Sequence, residues 1–283
     1  MAHAPRPADL NPQSAIRSQT MPTIDLGEYR CHVEIQGDGP VLLLVHGFPL
    51  DHTMWRPQFE ELQQSVRLIA PDLRGFGRDD RPLPDTLTMQ DFADDLAELL
   101  DALQVVSPVT FCGLSMGGYI GWQFWKRHRE RVARLILCDT RATADSVEVA
   151  RGRQMMANRV LQEGNAFVPA AMLDKLFSSA TQQRDPQLIA TTRDTILGTR
   201  PDAIAAAQRG MAERIDFQTD LPSINVPTLL LCGQDDVITP SAEMRVMAGS
   251  IPGSEFVEIP AAGHLPPLEN SVATNRAIAD FLR

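Results

Sequence analysis

Aromatic residues are scarce in this 283-residue chain, at 6 %, and positive charge is in deficit. The 26 Lys and Arg stand against 36 Asp and Glu, for a net charge of −10. That balance favours solubility and disfavours a nucleic-acid partner, which needs a basic face. The Lys and Arg are also scattered, so no basic arm is present. No apolar run approaches the ~20 residues of a membrane-spanning helix. The opening MAHAPRPADLNPQSAIRSQT has no hydrophobic block, so it does not read as a secretory signal. Residues 1–21 are expected to be a disordered tail, and the chain to be cytoplasmic with no membrane partner. Cysteine is sparse as well: Cys31, Cys112, Cys138 and Cys232 show no CxxC spacing and no disulfide framework. HExxH, Walker and Rossmann glycine patterns are missing. Neither a metal nor an organic cofactor is expected.

What is present is a rhythm of short apolar runs: Val41 to Val45, Val66 to Ala70, Val109 to Cys112, Leu135 to Cys138, Thr228 to Cys232 and Phe256 to Ile259. Each has strand length, and the stretches between them have helix length. Continuous hydrophobicity is what a parallel strand covered on both faces requires. An alternating segment near Tyr29 to Ile35 predicts an antiparallel hairpin at one edge. From Thr88 to Leu103 the apolar residues Phe92, Leu96, Leu99, Leu100 and Leu103 share a helical face. Thr88 with Asp91 three residues on forms an acidic variant of a capping box. The fold class is therefore α/β, with a doubly wound, mostly parallel sheet. Between residues 141 and 216 the rhythm breaks. Only helical patches occur there, at Arg151 to Gln162, Pro169 to Phe177, Pro186 to Leu197 and Pro201 to Arg214. Residues 141–216 thus read as a helical lid inserted into a core made of 22–140 and 217–283.

The strongest chemical signal is Gly113-Leu114-Ser115-Met116-Gly117, placed between a predicted strand and a predicted helix. A serine at a sharp strand-to-helix turn sits in a strained backbone, and its neighbours two residues away must be small. By composition alone, Gly-x-Ser-x-Gly occurs in roughly one chain in ten of this length. The placement, and not the pattern, makes Ser115 a nucleophile candidate. Acyl transfer needs two N–H donors at the oxyanion. The residue after the nucleophile, Met116, supplies one, and Phe48, in the His46-Gly47-Phe48-Pro49 loop after an early strand, is the candidate for the other. His46 reads as a brace for that loop.

Of six histidines, His264 lies in a Gly/Pro-rich loop, Ala262-Gly263-His264-Leu265-Pro266, after the last apolar run. Loops at strand carboxyl ends are where open α/β sheets build sites, so His264 is the candidate base. Three aspartates compete to orient it. Asp235 and Asp236 follow the run Thr228 to Cys232, and Asp139 follows Leu135 to Cys138. Asp236 is preferred, in the chain order Ser–Asp–His.

The segments His46-Gly47-Phe48-Pro49, Asp72-Leu73-Arg74-Gly75-Phe76-Gly77, Gly113-Leu114-Ser115-Met116-Gly117-Gly118, Gly233-Gln234-Asp235-Asp236 with Pro240, and Gly263-His264 together resemble the α/β-hydrolase superfamily. Within it the sequence is most similar to the serine carboxylesterase and 3-oxoadipate enol-lactonase-like branch. The resemblance implies the acid at Asp236 and the second oxyanion donor at Phe48. Haloalkane dehalogenases and epoxide hydrolases of this fold need aspartate where Ser115 stands. Relatives usually carry serine where Arg78-Asp79-Asp80 follows Gly77. The expected activity is hydrolysis of a small-molecule ester or lactone. Two other readings stand beside it: a cofactor-independent perhydrolase or haloperoxidase-like enzyme, and a ligand-binding receptor on the same fold. Met155, Met156, Met172, Leu173 and Phe177 are candidates for an apolar pocket or for the lid's own core.

Overall fold

The structure, a computed structural model, describes residues 23–25 and 30–283. The expected tail, residues 1–21, and Tyr29 of the expected hairpin lie outside the described residues. Eight strands form one sheet in the order β1-β2-β4-β3-β5-β6-β7-β8. They are β1 (Thr23–Asp25), β2 (Arg30–Gln36), β3 (Val41–Val45), β4 (Arg67–Pro71), β5 (Val109–Leu114), β6 (Val132–Cys138), β7 (Thr228–Gly233) and β8 (Glu255–Ile259). From β4 to β8 every pairing is parallel, whereas β1 and β2 add an antiparallel edge beside β4.

The central strands are wholly buried: no residue of Leu42–Val45, nor of β5 or β7, is exposed. Helices cover them on both faces, which is why the apolar runs are continuous. Burying each such leucine stabilises the fold by about 1.5–3 kcal/mol relative to leaving it exposed. β8 differs. It pairs only with β7, and Glu255 and Glu258 face solvent, so its pattern is that of an edge strand.

The core helices are α1 (Arg56–Leu62), α2 (Met89–Ala102) and α3 (Met116–Arg127). Asp91 Oδ2 accepts from the Thr88 N–H at 2.8 Å, and the Asp91 N–H donates to Thr88 Oγ1 at 3.2 Å. Both bonds of the capping box are therefore made, with aspartate in place of the usual glutamate.

Between β6 and β7 lie α4 (Val147–Glu163), α5 (Val168–Leu176), α6 (Ser179–Arg184), α7 (Pro186–Gly198) and α8 (Pro201–Ala212). Helix α6, begun by a Ser178 side-chain cap, has no counterpart in the sequence reading. The two ends of this insert are joined: the Phe217 N–H donates to the Ala142 carbonyl at 2.8 Å. A buried Arg214–Asp145 ion pair at 2.5 Å and an Arg153–Asp145 pair at 2.6 Å clamp the same neck. Met155 is 63 % exposed, while Phe177 is buried. After β7 come α9 (Ser241–Gly249), α10 (Pro266–Glu269) and α11 (Ser271–Leu282). No described helix is long and apolar enough to cross a membrane. All four cysteines are free and buried.

Candidate active site

Ser115 joins β5 to α3 with φ 54° and ψ −108°, a conformation that costs on the order of 1–3 kcal/mol and survives only where the surroundings impose it. Its N–H donates to the Cys138 carbonyl at 2.8 Å, and its carbonyl accepts from the Thr140 hydroxyl at 2.8 Å. The turn is tight enough to exclude side chains on either side. A Cβ on Gly113 would lie 2.3 Å from the Gly117 carbonyl oxygen, and one on Gly117 would lie 2.3 Å from that of Val45.

Met116 opens α3, where the first N–H groups have no acceptor within the helix. Phe48 lies just beyond β3, buried edge-on to Phe76 with ring centroids 6.2 Å apart. Neither N–H donates to an acceptor among the described residues. Two unpaired backbone donors therefore flank the serine turn.

His46 holds the Phe48 loop in place. Its Nδ1 lies 3.0 Å from the Gly47 carbonyl, and its Nε2 accepts the Leu73 N–H at 3.0 Å. Those partners put the proton on Nδ1. Burial, opposed by the Gly47 carbonyl, pushes the imidazole's pKa down and keeps the ring neutral. The brace predicted for His46 is present, and both ring nitrogens are committed to it. A second brace was not foreseen. The His52 N–H and Nδ1 both reach Asp72 Oδ1, at 3.0 and 2.6 Å, while Asp72 Oδ2 accepts the Arg78 N–H at 2.9 Å. Arg78 thus holds Asp72 through its backbone, which any residue type can do. The adjoining Asp79 accepts from the Gly75 N–H and from the Arg81 guanidinium.

His264 and Asp236 meet at the carboxyl edge of the sheet, from loops after β8 and β7. His264 Nδ1 lies 2.8 Å from Asp236 Oδ2. That carboxylate also accepts from the Ile238 N–H at 2.7 Å, the Thr239 N–H at 3.2 Å and the Thr239 hydroxyl. Burial pulls the Asp236 pKa up, but the charge and hydrogen bond of His264 and the Thr239 and Ile238 donors outweigh it. The carboxyl stays well below its usual range. An ionised Asp236 fixes the proton on Nδ1 and leaves Nε2 as the basic nitrogen.

Asp139 does not take that part. It is fully buried with φ 45°, and its Oδ1 accepts the Gly233 N–H at 2.8 Å. Burial first, and then the charge of Asp236, push its pKa well up. It packs against the Asp236–His264 pair, with a carboxylate oxygen within 4.8 Å of a polar atom of each. Glu269, which the sequence reading passed over, has its carboxylate buried under the His264 loop. It accepts from the Gly263 N–H at 2.8 Å and the Leu265 N–H at 3.1 Å. Two clusters bring three ligand-type atoms within 4.8 Å of one another: Asp139, Asp236 and His264, and separately His32, His52 and Asp72. In the first, Asp236 is occupied by its four donors.

A family model of the alpha/beta hydrolase fold matches residues 40–271. Among solved structures, a thermophilic esterase from Thermogutta terrifontis, determined with malate bound, is 46 % identical. The match has a TM-score of 0.88 and covers 90 % of this chain and 93 % of that one. The enol-lactonase from Burkholderia xenovorans LB400 is 30 % identical with a TM-score of 0.85, over 92 % of this chain and 99 % of that one. Among curated sequences, 3-oxoadipate enol-lactonase 1 of Acinetobacter baylyi is 28 % identical, over 89 % of this chain and 92 % of that protein.

Proposed function

The chain belongs to the alpha/beta hydrolase fold family, and from that premise we propose that it is a serine hydrolase of small carboxylic esters or lactones. The observation that carries the reading is the strained Ser115 turn, flanked by the unpaired N–H groups of Phe48 and Met116, on the sheet edge that also carries the His264–Asp236 pair. Relatives described as esterases and enol-lactonases support the substrate class.

In this reading Ser115 Oγ attacks the carbonyl carbon while His264 Nε2 takes its proton. The carbonyl oxygen becomes an oxyanion held by the Phe48 and Met116 N–H groups, each worth roughly a hundredfold or more in rate. Asp236 stabilises the imidazolium. His264 then hands the proton to the departing alkoxide, leaving an acyl group on Ser115. Water, deprotonated by the same nitrogen, attacks the acyl-enzyme and releases the acid. A lactone leaves its alcohol on the same molecule as its acid, so one site serves both substrates. The five-helix insert acts as the lid. It is tied to the His264 loop by the bond from the His264 N–H to the Leu176 carbonyl at 3.0 Å.

The test is multiple-turnover hydrolysis of p-nitrophenyl esters from acetate to decanoate by wild type and Ser115→Ala. Wild-type turnover with a loss of at least ~10⁴-fold in the variant supports the reading. Equal activity of the two proteins removes Ser115 from the mechanism. A wild type inert on esters and lactones that forms peracid when peroxide is supplied replaces hydrolysis with perhydrolysis.

A further inference from the structure

Two of the donors that converge on the Asp236 carboxylate are backbone N–H groups, which any residue type supplies. Ile238 reaches Oδ1 at 2.7 Å and Thr239 reaches it at 3.2 Å. The other two share Oδ2: His264 Nδ1 at 2.8 Å, and the Thr239 hydroxyl. Apart from the histidine itself, the hydroxyl is thus the one donor that depends on residue type. It also stands 3.5 Å from His264 Nδ1, so it lies against both members of the pair.

The surroundings aim this hydroxyl. Thr239 is fully buried, and a β-branched side chain has few rotamers to choose from. Its backbone is held on both sides, the N–H by Asp236 Oδ1 and the carbonyl by the Cys232 thiol at 3.4 Å. Pro240 follows at once and leads into α9. Val237, two residues earlier, is exposed, so the loop turns from solvent into the core to deliver the hydroxyl. In that buried setting a hydrogen bond acts at low dielectric, and its loss is felt by every group bonded to the same carboxylate.

We propose that Thr239 is a positioning residue for His264, acting through Asp236. The role rests on the serine-hydrolase reading above. By taking one lone pair of Oδ2, the hydroxyl keeps the carboxylate from turning and fixes which oxygen faces the imidazole. It also moderates the bond to His264, because two donors on one oxygen draw on the same electron density. Thr239 transfers no proton of its own.

The test compares wild type, Thr239→Val and Thr239→Ser as full chains, with circular dichroism confirming the fold of each. Valine keeps the shape and removes the hydroxyl, whereas serine keeps the hydroxyl and removes a methyl. Proton NMR of the substrate-free protein reads the His264 Nδ1–H, assigned by its loss in His264→Gln. The resonance should move downfield in Thr239→Val, since Oδ2 then serves His264 alone, and stay near its wild-type position in Thr239→Ser. With an ester substrate, kcat should fall about tenfold in Thr239→Val, with KM within about twofold of wild type. Thr239→Ser should recover most of that loss. A resonance that stays in place or moves upfield in Thr239→Val overturns the role. So do equal losses of kcat in the valine and serine variants. The resonance needs no substrate, so a wild type that hydrolyses nothing ends the hydrolase reading while the resonance still decides what Thr239 does to the pair.

Discussion

Glu269 and Ser178 join two parts of the chain that are far apart in sequence: Glu269 Oε2 accepts the Ser178 N–H at 2.8 Å. Its other oxygen serves Gly263 and Leu265 on either side of His264. The Glu269 carbonyl in turn accepts from Arg184 at 2.7 Å. One buried residue thus fastens the His264 loop to the junction of α5 and α6 in the insert.

Replacing Glu269 with Gln should be destabilising despite equal size, because an amide N–H₂ must face backbone N–H groups. Leaving such buried donors unpaired costs about 2–4 kcal/mol. For a chain of this size that lowers Tm by roughly 5–10 °C. Ester hydrolysis should fall with it, chiefly in kcat, since His264 loses its fixed position. Calorimetry and steady-state kinetics check both. A Tm within a degree of wild type would show that Glu269 fastens nothing.

Asp139 gives a pH signature. Its folded pKa is raised, so above the unfolded value the native state holds a proton that the unfolded chain has released. Stability contributed there falls as pH rises from the unfolded pKa of about 4 towards the folded one. Asp139→Asn mimics the protonated acid and keeps an oxygen for the Gly233 N–H. Its unfolding free energy, measured in urea from pH 5 to pH 8, should gain on wild type steadily as pH rises, with hydrolysis retained. Parallel curves would mean that Asp139 is ionised in the fold.

The sheet was legible because its strands are covered on both faces. Six apolar runs marked six strands, and departures came where coverage stops. β8 exposes two glutamates because it has a neighbour on one side only. The Ser115 turn was legible because its geometry demands glycine at Gly113 and Gly117, and residue type records that demand directly. The Ser–Asp–His chain order admits both Asp236 and Asp139, and in the sequence only the family resemblance points to Asp236. Space distinguishes them by partners, since Asp236 gathers four donors and Asp139 one. Glu269 left no local signal. Its partners are backbone N–H groups, which carry no side-chain signature, and Ser178 lies 91 residues away.

Asp236 carries the opposite sign from Asp139. Its folded pKa is depressed, so its contribution to stability is present above the unfolded carboxylate value of about 4 and is lost as pH falls through the folded value. Asp236→Asn should be less stable than wild type at pH 7, and the gap should narrow on acidification below about pH 4. Activity at neutral pH should drop by roughly 10³–10⁴-fold, because the amide no longer holds the proton on Nδ1. Urea denaturation at pH 7 and pH 3 and ester kinetics read the two effects. A gap that is unchanged at pH 3 would contradict an ionised Asp236 held by its donors.

The central claim is that Ser115 is the nucleophile, and covalent capture tests it most directly. Wild type is treated with a fluorophosphonate at neutral pH and examined by intact-mass and peptide-mass spectrometry. The account predicts one adduct per chain, located on Ser115, with ester hydrolysis lost in proportion, and no adduct in Ser115→Ala. An adduct on another residue, or full hydrolytic activity in a quantitatively labelled protein, would contradict it.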